Sequence, residues 1–198
     1  MKIGIDIDDV VADFSGKFRN FYNSVFENGN KFKSYDGIRL SEFWGVSEEK
    51  VLEILEDFYK SELFLEISPL PGAKNSLGIL SNSNDLVAVT NRPTYLREKT
   101  LGWVEQHYKG IFKKVLFNGN KHRDYSKSKA QTCLDKGLGV LVDDHASILR
   151  DCYDKGVGVI LFDQPWNRDA KDLDEFRARD WSHVLDILKK QNEHSRIF

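Results

Sequence analysis

The hydrophobic and polar positions of this chain predict strands that alternate with helices. Apolar residues alternate with Gly and Asp over Ile3–Ile7, which predicts a first strand. Apolar residues then recur at three- and four-residue spacings over Val10–Phe26, which predicts a helix. Four later apolar runs, separated by helical periods, predict further strands at Leu86–Val89, Lys114–Phe117, Gly139–Val142 and Val157–Phe162. This alternation predicts an α/β fold built on a doubly wound parallel sheet.

The segment between the first and second predicted strands has a different character, because its pattern predicts helices and no strand. Ser47, followed by two glutamates, is typical of a helix N-terminus. We expect residues 14–69 to form a helical cap that is inserted into a core made of residues 1–13 and 70–198. A cap that directly follows the first strand can cover a site at the end of that strand and exclude water from it.

Acidic residues follow the first and fourth predicted strands. Asp6 and Asp8 lie at the end of the first strand, and Asp143 and Asp144 at the end of the fourth. The carboxyl ends of parallel strands share one edge of the sheet, where ligands bind. Clustered carboxylates are costly unless a cation lies among them, and oxygen ligands favour Mg²⁺. We therefore predict a Mg²⁺ site, while a helix-capping role for Asp8 or Asp9 remains the alternative.

A phosphate site is predicted beside these carboxylates. Thr90 and Asn91 follow the second strand and offer a hydroxyl, an amide and backbone N–H groups, although an ordinary helix cap is the alternative. Lys129 opens the helix before the fourth strand, with Lys127 as the runner-up, and a solvated surface lysine is the alternative for either. A metal, a lysine and hydrogen-bond donors together suit a phosphate monoester. One aspartate can attack phosphorus while a second transfers protons.

Composition and charge narrow the class of protein. The net charge of −2, from 29 basic and 31 acidic residues, shows no footprint of a polynucleotide partner. Cys133 and Cys152 lack the CxxC spacing and are typical of reduced thiols. No signal peptide is evident, and no apolar run approaches the roughly 18 residues of a membrane span. We expect a cytoplasmic protein that acts on a small molecule, without a membrane or polynucleotide partner.

Several motifs resemble those of known families. The segment Asp6–Val10, Thr90, Lys129 and Asp143-Asp144 resemble, in order, the four motifs of the haloacid dehalogenase-like phosphatases. A narrower resemblance, to the 5′(3′)-deoxyribonucleotidase family, covers nearly the whole chain. It rests on the segments Asp6–Phe14, Glu42–Trp44, Leu70–Ala73, Trp103–His107 and Asp180-Trp181, together with Pro165–Arg168, which is similar to the bacterial and phage members.

The narrower resemblance implies the chemistry and the roles of the acidic residues. It implies a Mg²⁺-dependent hydrolase that removes phosphate from nucleoside monophosphates, often pyrimidine deoxynucleotides. Asp6 would be the nucleophile and Asp8 the acid and base. Asp6, Asp143 and the backbone carbonyl of Asp8 would bind Mg²⁺, and Asp144 would hold a metal-bound water.

The same resemblance implies how the substrate is held. Thr90, Asn91 and Lys129 would bind the phosphate group. The nucleobase pocket would be lined by Phe14, Phe43 and Trp44, since aromatic rings stack on any base. Phe14 also fits the apolar stripe of its helix, so plain core packing is the alternative for it.

Two departures from the family pattern leave the nucleotide specificity open. Asp9 stands where the first motif commonly has Gly, and Asn91, followed by Arg92, stands where these enzymes commonly have Ser. A phosphatase for another small metabolite and a non-catalytic nucleotide-binding module are the alternative functions, although Asp6, Asp8 and Asp143 favour catalysis. The base, the sugar, the position of the phosphate and a homodimer through the cap are further open expectations.

Overall fold

The computed structural model describes residues 1–25, 47–119 and 127–194, and its centre is a six-stranded parallel sheet. The strands are β1 (Lys2–Ile5), β2 (Asp85–Pro93), β3 (Phe112–Gly119), β4 (Val140–Asp143), β5 (Gly158–Phe162) and β6 (Arg177–Ala178). Their order is β3-β2-β1-β4-β5-β6, and every neighbouring pair is parallel. The predicted doubly wound α/β fold is confirmed. From β1 the chain adds β2 and β3 on one side, and it then adds β4, β5 and β6 on the other side. Because the strand order reverses between β1 and β4, a ligand crevice is expected at the carboxyl ends of these two strands.

Helices connect and flank these strands. In the described residues they are α1 (Phe14–Val25), α2 (Glu48–Lys60), α3 (Ala73–Ser81), α4 (Arg97–Tyr108), α5 (Lys129–Lys136), α6 (Ala146–Asp154) and α7 (Trp181–His194). The predicted helix start at Ser47 is confirmed, because its side chain accepts a hydrogen bond from the backbone N–H of Lys50. The two-residue β6 was not predicted, since so short a segment carries no periodicity. No helix in the described ranges has the length and apolar character to cross a membrane.

The first helix begins later than the sequence predicts. It starts at Phe14, and the predicted start at Val10 is wrong. Asp9 adopts a left-handed backbone conformation with φ of 58°, and Ala12 forms a bridge with Pro69. Val10 and its neighbour are fully buried in this turn, so their apolar character reflects the core and not a helix face.

An aromatic cluster holds the insertion between β1 and β2 together. The ring of Phe58 on α2 lies 5.5, 5.2 and 5.3 Å from the rings of Phe14, Phe18 and Phe21 on α1. Its ring also lies 5.7 Å from that of Phe64, in a 3₁₀ turn over Glu62–Phe64. The buried residues of this insertion are continuous with those of the sheet. Because the two sets of buried residues are continuous, the predicted cap boundaries at 14 and 69 stay a prediction. The homodimer also stays a prediction.

Two buried aromatic residues from distant helices hold the turn that follows β1. The hydroxyl of Tyr108 donates to the carbonyl of Val11 at 2.7 Å, and the indole N–H of Trp181 donates to the carbonyl of Val10 at 2.8 Å. Buried backbone carbonyls need such partners, because an unpaired one costs free energy. These contacts fix the turn that carries the acidic residues.

Tyr108→Phe tests this support. The variant keeps the ring but removes the hydroxyl, so we expect the free energy of unfolding to fall by about 1 kcal/mol. The loss stays moderate because the carbonyl of Val11 also accepts from the backbone N–H of Leu70 at 2.9 Å. Urea denaturation measures the difference, with Tyr153→Phe, whose residue is 54% exposed, as the matched control. Equal stability of the two variants would contradict a supporting role for Tyr108.

Candidate active site

Three carboxylates converge where β1 and β4 end. Asp6 follows β1 directly, and its backbone N–H donates to the carbonyl of Val142 at 2.9 Å, which continues the pairing beyond the strand. Oxygen atoms of Asp6, Asp143 and Asp144 all lie within 4.8 Å of one another. All three residues are buried. A buried donor set made only of carboxylate oxygens fits a hard divalent cation.

A lysine lies between two of these carboxylates. The Nζ atom of Lys129 lies 2.8 Å from Oδ1 of Asp6 and 2.7 Å from Oδ2 of Asp143. It is the first residue of α5, whose N-cap is Ser128. The start of this helix therefore places the side chain at the edge of the sheet. Lys127 instead pairs with Asp135 at the surface. Of the two candidate lysines, the structure brings only Lys129 to the carboxylates.

The cluster holds more negative than positive charge. Burial raises the pKa of Asp6 well above its usual range; the charge of Lys129 lowers that pKa, and the neighbouring carboxylates raise it further. Burial and the charge of Asp143 likewise raise the pKa of Asp144. For Lys129, burial lowers the pKa, but the charges of Asp143 and Asp6 outweigh it and the net pKa is raised. The lysine therefore stays protonated, and the carboxylates can bind additional positive charge.

A turn after β5 holds one of these carboxylates in place. The indole N–H of Trp166 donates to Oδ2 of Asp144 at 2.7 Å, and the side-chain amide of Asn167 donates to the carbonyl of Asp144 at 2.8 Å. The amide of Gln164 donates to the carbonyl of Asp9 at 2.7 Å. Sequence reasoning noted this segment as a family-like motif but assigned no role to it, because its partners are distant along the chain.

The extra acid, Asp9, binds the first turn of α1, together with Asp13, whose carboxylate accepts from the backbone N–H of Gly16 at 3.1 Å. The Asp9 carboxylate accepts hydrogen bonds from the backbone N–H of Ser15 at 2.8 Å and from the Ser15 hydroxyl at 2.5 Å. Burial raises its pKa to about 7. Its left-handed backbone explains why Gly is common at this position, and Asp is one of the residues that tolerates the conformation. The capping alternative thus applies to Asp9 and not to Asp8.

The side chain of Asp8 turns away from the three clustered carboxylates. It forms an ion pair with Arg92, whose Nη2 lies 2.6 Å from Oδ1 of Asp8. The carboxylate is still 26% exposed and lines the cavity described below. Any role of Asp8 as a metal ligand would thus come from its backbone carbonyl, which stays a prediction. Sequence reasoning missed Arg92 as its partner, because 84 positions separate the two residues.

The helix N-terminus expected at Thr90 and Asn91 is not present. Strand β2 continues through both residues to Pro93, and α4 begins only at Arg97, so the strand pairing replaces the expected cap. The hydroxyl of Thr90 is buried and accepts from the backbone N–H of Arg92 at 3.0 Å. Asn91 is half-buried and lines the cavity, so these two residues occupy different surroundings.

A cavity of about 560 Å³ lies in front of the carboxylates. Its polar lining includes Asp6, Asp8, Asn91, Lys129 and Asp144. Apolar side chains from the insertion also line it, namely those of Phe14, Phe18 and Leu55. Phe14 thus lines the cavity and also packs in the aromatic cluster, whereas Phe43 and Trp44 lie outside the described residues. The sequence did not single out Phe18 or Leu55 as cavity residues, because the apolar stripe of a helix cannot separate core from cavity wall.

Comparison with known proteins agrees with this geometry. A Chlorobaculum tepidum protein, provisionally named a 5′(3′)-deoxyribonucleotidase, is 25% identical over 94% of this chain and 89% of its own length. The mitochondrial 5′(3′)-deoxyribonucleotidase of Mus musculus is 29% identical over 54% of this chain and 53% of its own.

Solved structures share the fold. A haloacid dehalogenase-like family hydrolase from Streptococcus pneumoniae superposes with a TM-score of 0.68 at 17% identity, over 94% of this chain and 97% of its own. A Bacillus subtilis structure, provisionally named a HAD-hydrolase and solved with bound magnesium, has a TM-score of 0.64 at 15% identity, over 95% and 98% of the two chains.

A match to a family model identifies the family of this chain more specifically than the individual relatives and structures do. The model described as "5' nucleotidase, deoxy (Pyrimidine), cytosolic type C protein" matches residues 1–192. The match includes β1 with its acidic turn, the insertion, and the segments that carry Lys129 and Asp143. The chain therefore belongs to the 5′-nucleotidase, deoxy (pyrimidine), cytosolic type C family, a family of haloacid dehalogenase-like phosphoric monoester hydrolases.

Proposed function

We propose that this protein is a Mg²⁺-dependent phosphatase that hydrolyses nucleoside 5′-monophosphates, preferentially deoxyribonucleotides, through an aspartyl-phosphate on Asp6. The observation that carries the proposal is the position of Lys129 between Asp6 and Asp143, at the wall of a cavity that is also lined by apolar side chains. A buried lysine beside a metal-binding set can neutralise a phosphoryl group.

The metal would be held by Asp6, Asp143 and Asp144, with the backbone carbonyl of Asp8 as a further ligand. Their clustered, buried oxygen atoms and the raised pKa values of Asp6 and Asp144 support this assignment, because a divalent cation would offset the charge that remains. The magnesium bound in the Bacillus subtilis relative of this fold also supports it. When bound, Mg²⁺ neutralises charge on the phosphoryl oxygens and orients the ester.

Among the acids at this edge, Asp6 is best suited to act as the nucleophile. Asp143 is fully buried, and its two oxygens accept from the backbone N–H of His145 and from Lys129. Asp9 is engaged by Ser15, and Asp144 by Trp166. Asp6 lines the cavity beside Lys129, so its carboxylate can reach a phosphorus atom there.

Asp8 would transfer the protons in both steps. In the first step a carboxylate oxygen of Asp6 bonds to phosphorus, the ester P–O bond breaks, and the proton of the Asp8 carboxyl passes to the leaving oxygen. In the second step Asp8 takes a proton from water, whose oxygen bonds to phosphorus while the Asp6 oxygen leaves. Phosphate and the starting carboxyl groups result.

The cavity supports a nucleotide as the substrate. Its volume of about 560 Å³ falls in the range of small-molecule sites. Its lining combines Asp6, Asp144 and Lys129 with the apolar side chains of Phe14, Phe18 and Leu55. A nucleoside monophosphate has the matching combination, since its phosphate is charged and its base presents an apolar face. The names of the two deoxyribonucleotidase relatives support deoxyribose.

Metal binding is tested by thermal unfolding. Mg²⁺ at about 100 times its Kd should raise Tm by about 5–10 °C, because a ligand of the folded state stabilises it by about 2.7 kcal/mol. The shift should shrink from about pH 8 to about pH 5.5, since the raised pKa values of Asp6 and Asp144 let protons compete with the cation. Asp143→Asn should abolish the shift, and the surface control Asp135→Asn should keep it. An undiminished shift in Asp143→Asn would contradict the assigned site.

The nucleophile is tested by substitution and trapping. Asp6→Asn should lower kcat for a deoxynucleoside 5′-monophosphate by at least about 10⁴-fold, because an amide cannot form the acyl phosphate. Acid quenching followed by mass spectrometry should detect phosphate on Asp6 in the parent protein and none in the variant. A panel of nucleotides and sugar phosphates identifies the substrate class. Faster turnover of sugar phosphates than of every nucleotide would refute the nucleotide assignment.

The two lysines provide a matched comparison. Lys129→Met should lower kcat/KM by about 10²–10³-fold, because it removes a buried cation from beside the nucleophile. Lys127→Met should change kcat/KM by less than about twofold, since its partner Asp135 lies at the surface. Far-ultraviolet circular dichroism checks that both variants are folded. Similar losses in the two variants would contradict the assignment of Lys129 to the phosphate site.

A further inference from the structure

Arg92 makes a bidentate ion pair with Asp8 that neither the sequence motifs nor the family comparison assigns a role. Its Nε lies 3.1 and 3.0 Å from the two carboxylate oxygens of Asp8, and its Nη2 lies 2.6 Å from Oδ1. Two parallel N–H donors on one carboxylate fix its orientation, which a single contact would not do. The geometry therefore sets the direction in which the Asp8 carboxylate points.

The guanidinium of Arg92 is itself held from other sides. Its Nη1 donates to the hydroxyl of Thr100 on α4 at 3.3 Å. Its central carbon lies 5.0 Å from the ring centre of Phe64 and 5.8 Å from that of Trp103. The residue is only 3% exposed, although its partner carboxylate is 26% exposed. Arg92 is thus a buried, fixed support beneath a carboxylate that faces the cavity.

This support is connected to the insertion as well as to the sheet. Phe64 belongs to the 3₁₀ turn that follows α2, in the part of the insertion that leads back to the sheet. The indole N–H of Trp103 donates to the carbonyl of Ile67 at 2.7 Å, and Nζ of Lys99 donates to the carbonyl of Tyr59 at 2.7 Å. Helix α4 therefore fixes the end of the insertion beside the ion pair of Arg92 and Asp8. The aromatic rings limit the access of water to the guanidinium, which strengthens its interaction with Asp8.

We propose that Arg92 is a positioning residue for proton transfer: it fixes the Asp8 carboxyl group at the angle needed to protonate the leaving oxygen. This inference rests on the proposed function, because it gives Asp8 the role of acid and base. Nε and Nη2 face Asp8, and Nη1 faces Thr100. Arg92 accordingly acts through Asp8 and not as a ligand of the phosphate group.

Leaving-group dependence separates this role from a merely structural one. For phosphorylation of Asp6, kcat/KM reports the steps up to departure of the leaving group. A nitrophenolate leaves without protonation, whereas phenolate and a nucleoside 5′-oxygen need a proton from Asp8. A misdirected Asp8 therefore slows poor leaving groups and spares good ones.

The experiment compares nitrophenyl phosphate, phenyl phosphate and a deoxynucleoside 5′-monophosphate. Arg92→Lys keeps the charge but loses the bidentate contact with Asp8. We expect kcat/KM to fall about 30–100-fold for phenyl phosphate and the nucleotide, which have poor leaving groups, and less than about threefold for nitrophenyl phosphate. Thr100→Val, which frees one side of the guanidinium, should give the same pattern at about 3–10-fold. The control Arg97→Gln, an exposed arginine that lies 4.2 Å over the ring of Phe117, should match the parent.

The possible outcomes separate the inference from the function on which it rests. A parent protein that hydrolyses none of the three esters refutes the proposed function and this inference with it. An active parent whose Arg92→Lys variant loses all three substrates equally, with a raised KM, identifies Arg92 as a phosphate ligand and refutes positioning. Unchanged kinetics in Arg92→Lys also refute it. Thr100→Val decides the matter by the same leaving-group pattern if Arg92→Lys does not fold.

Discussion

The burial of like charges at one edge of the sheet is the constraint on which the rest of this structure depends. Asp6, Asp143 and Asp144 lie within a few ångströms of one another, and water contributes little to their solvation. Carboxylates in this position are costly without cations, and Lys129 supplies only one positive charge. The site is therefore arranged to bind further positive charge. A divalent metal suits such an excess of acid, and in the proposed function that metal would also neutralise charge on the substrate phosphate.

Much of the surrounding structure holds these acids in fixed orientations. The turn at residues 164–167 binds Asp144 and the backbone of Asp9, the start of α1 binds the Asp9 carboxylate, and Arg92 binds Asp8. Each acid consequently has a different partner and faces a different environment. Under the proposed function, this difference in surroundings would let neighbouring aspartates with the same chemistry serve as nucleophile, proton donor and metal ligand, while Asp9 binds the start of α1.

The fold and the convergence of acids could be predicted from the sequence, because both follow from local patterns. Alternating strands and helices imply a parallel sheet, and a parallel sheet brings Asp6 and Asp143 to the same edge. The sequence ranked Lys129 ahead of Lys127 without excluding the latter, since the two residues lie only two positions apart at the start of the same helix and only the fold shows which one is buried. The ion pair of Arg92 with Asp8 and the contacts of Trp166 were also out of reach, because long-range side-chain contacts leave no periodicity.

The acidic turn after β1 shows where local patterns mislead. Its apolar residues continue the helical spacing of α1, yet Asp9 is left-handed and Val10 is buried in a turn. Tyr108 and Trp181 hold that turn through its backbone carbonyls, and no property of residues 6–13 alone reveals these distant donors. Tertiary contacts therefore decide where the helix begins.

A crystal structure with Mg²⁺ and beryllium trifluoride, a mimic of a phosphoryl group, tests the central claim most directly. The account predicts beryllium bonded to a carboxylate oxygen of Asp6, Lys129 beside the fluorides, and Mg²⁺ held by Asp6, Asp143 and Asp144. Beryllium trifluoride bound to another residue, or Mg²⁺ bound away from these three carboxylates, would contradict it.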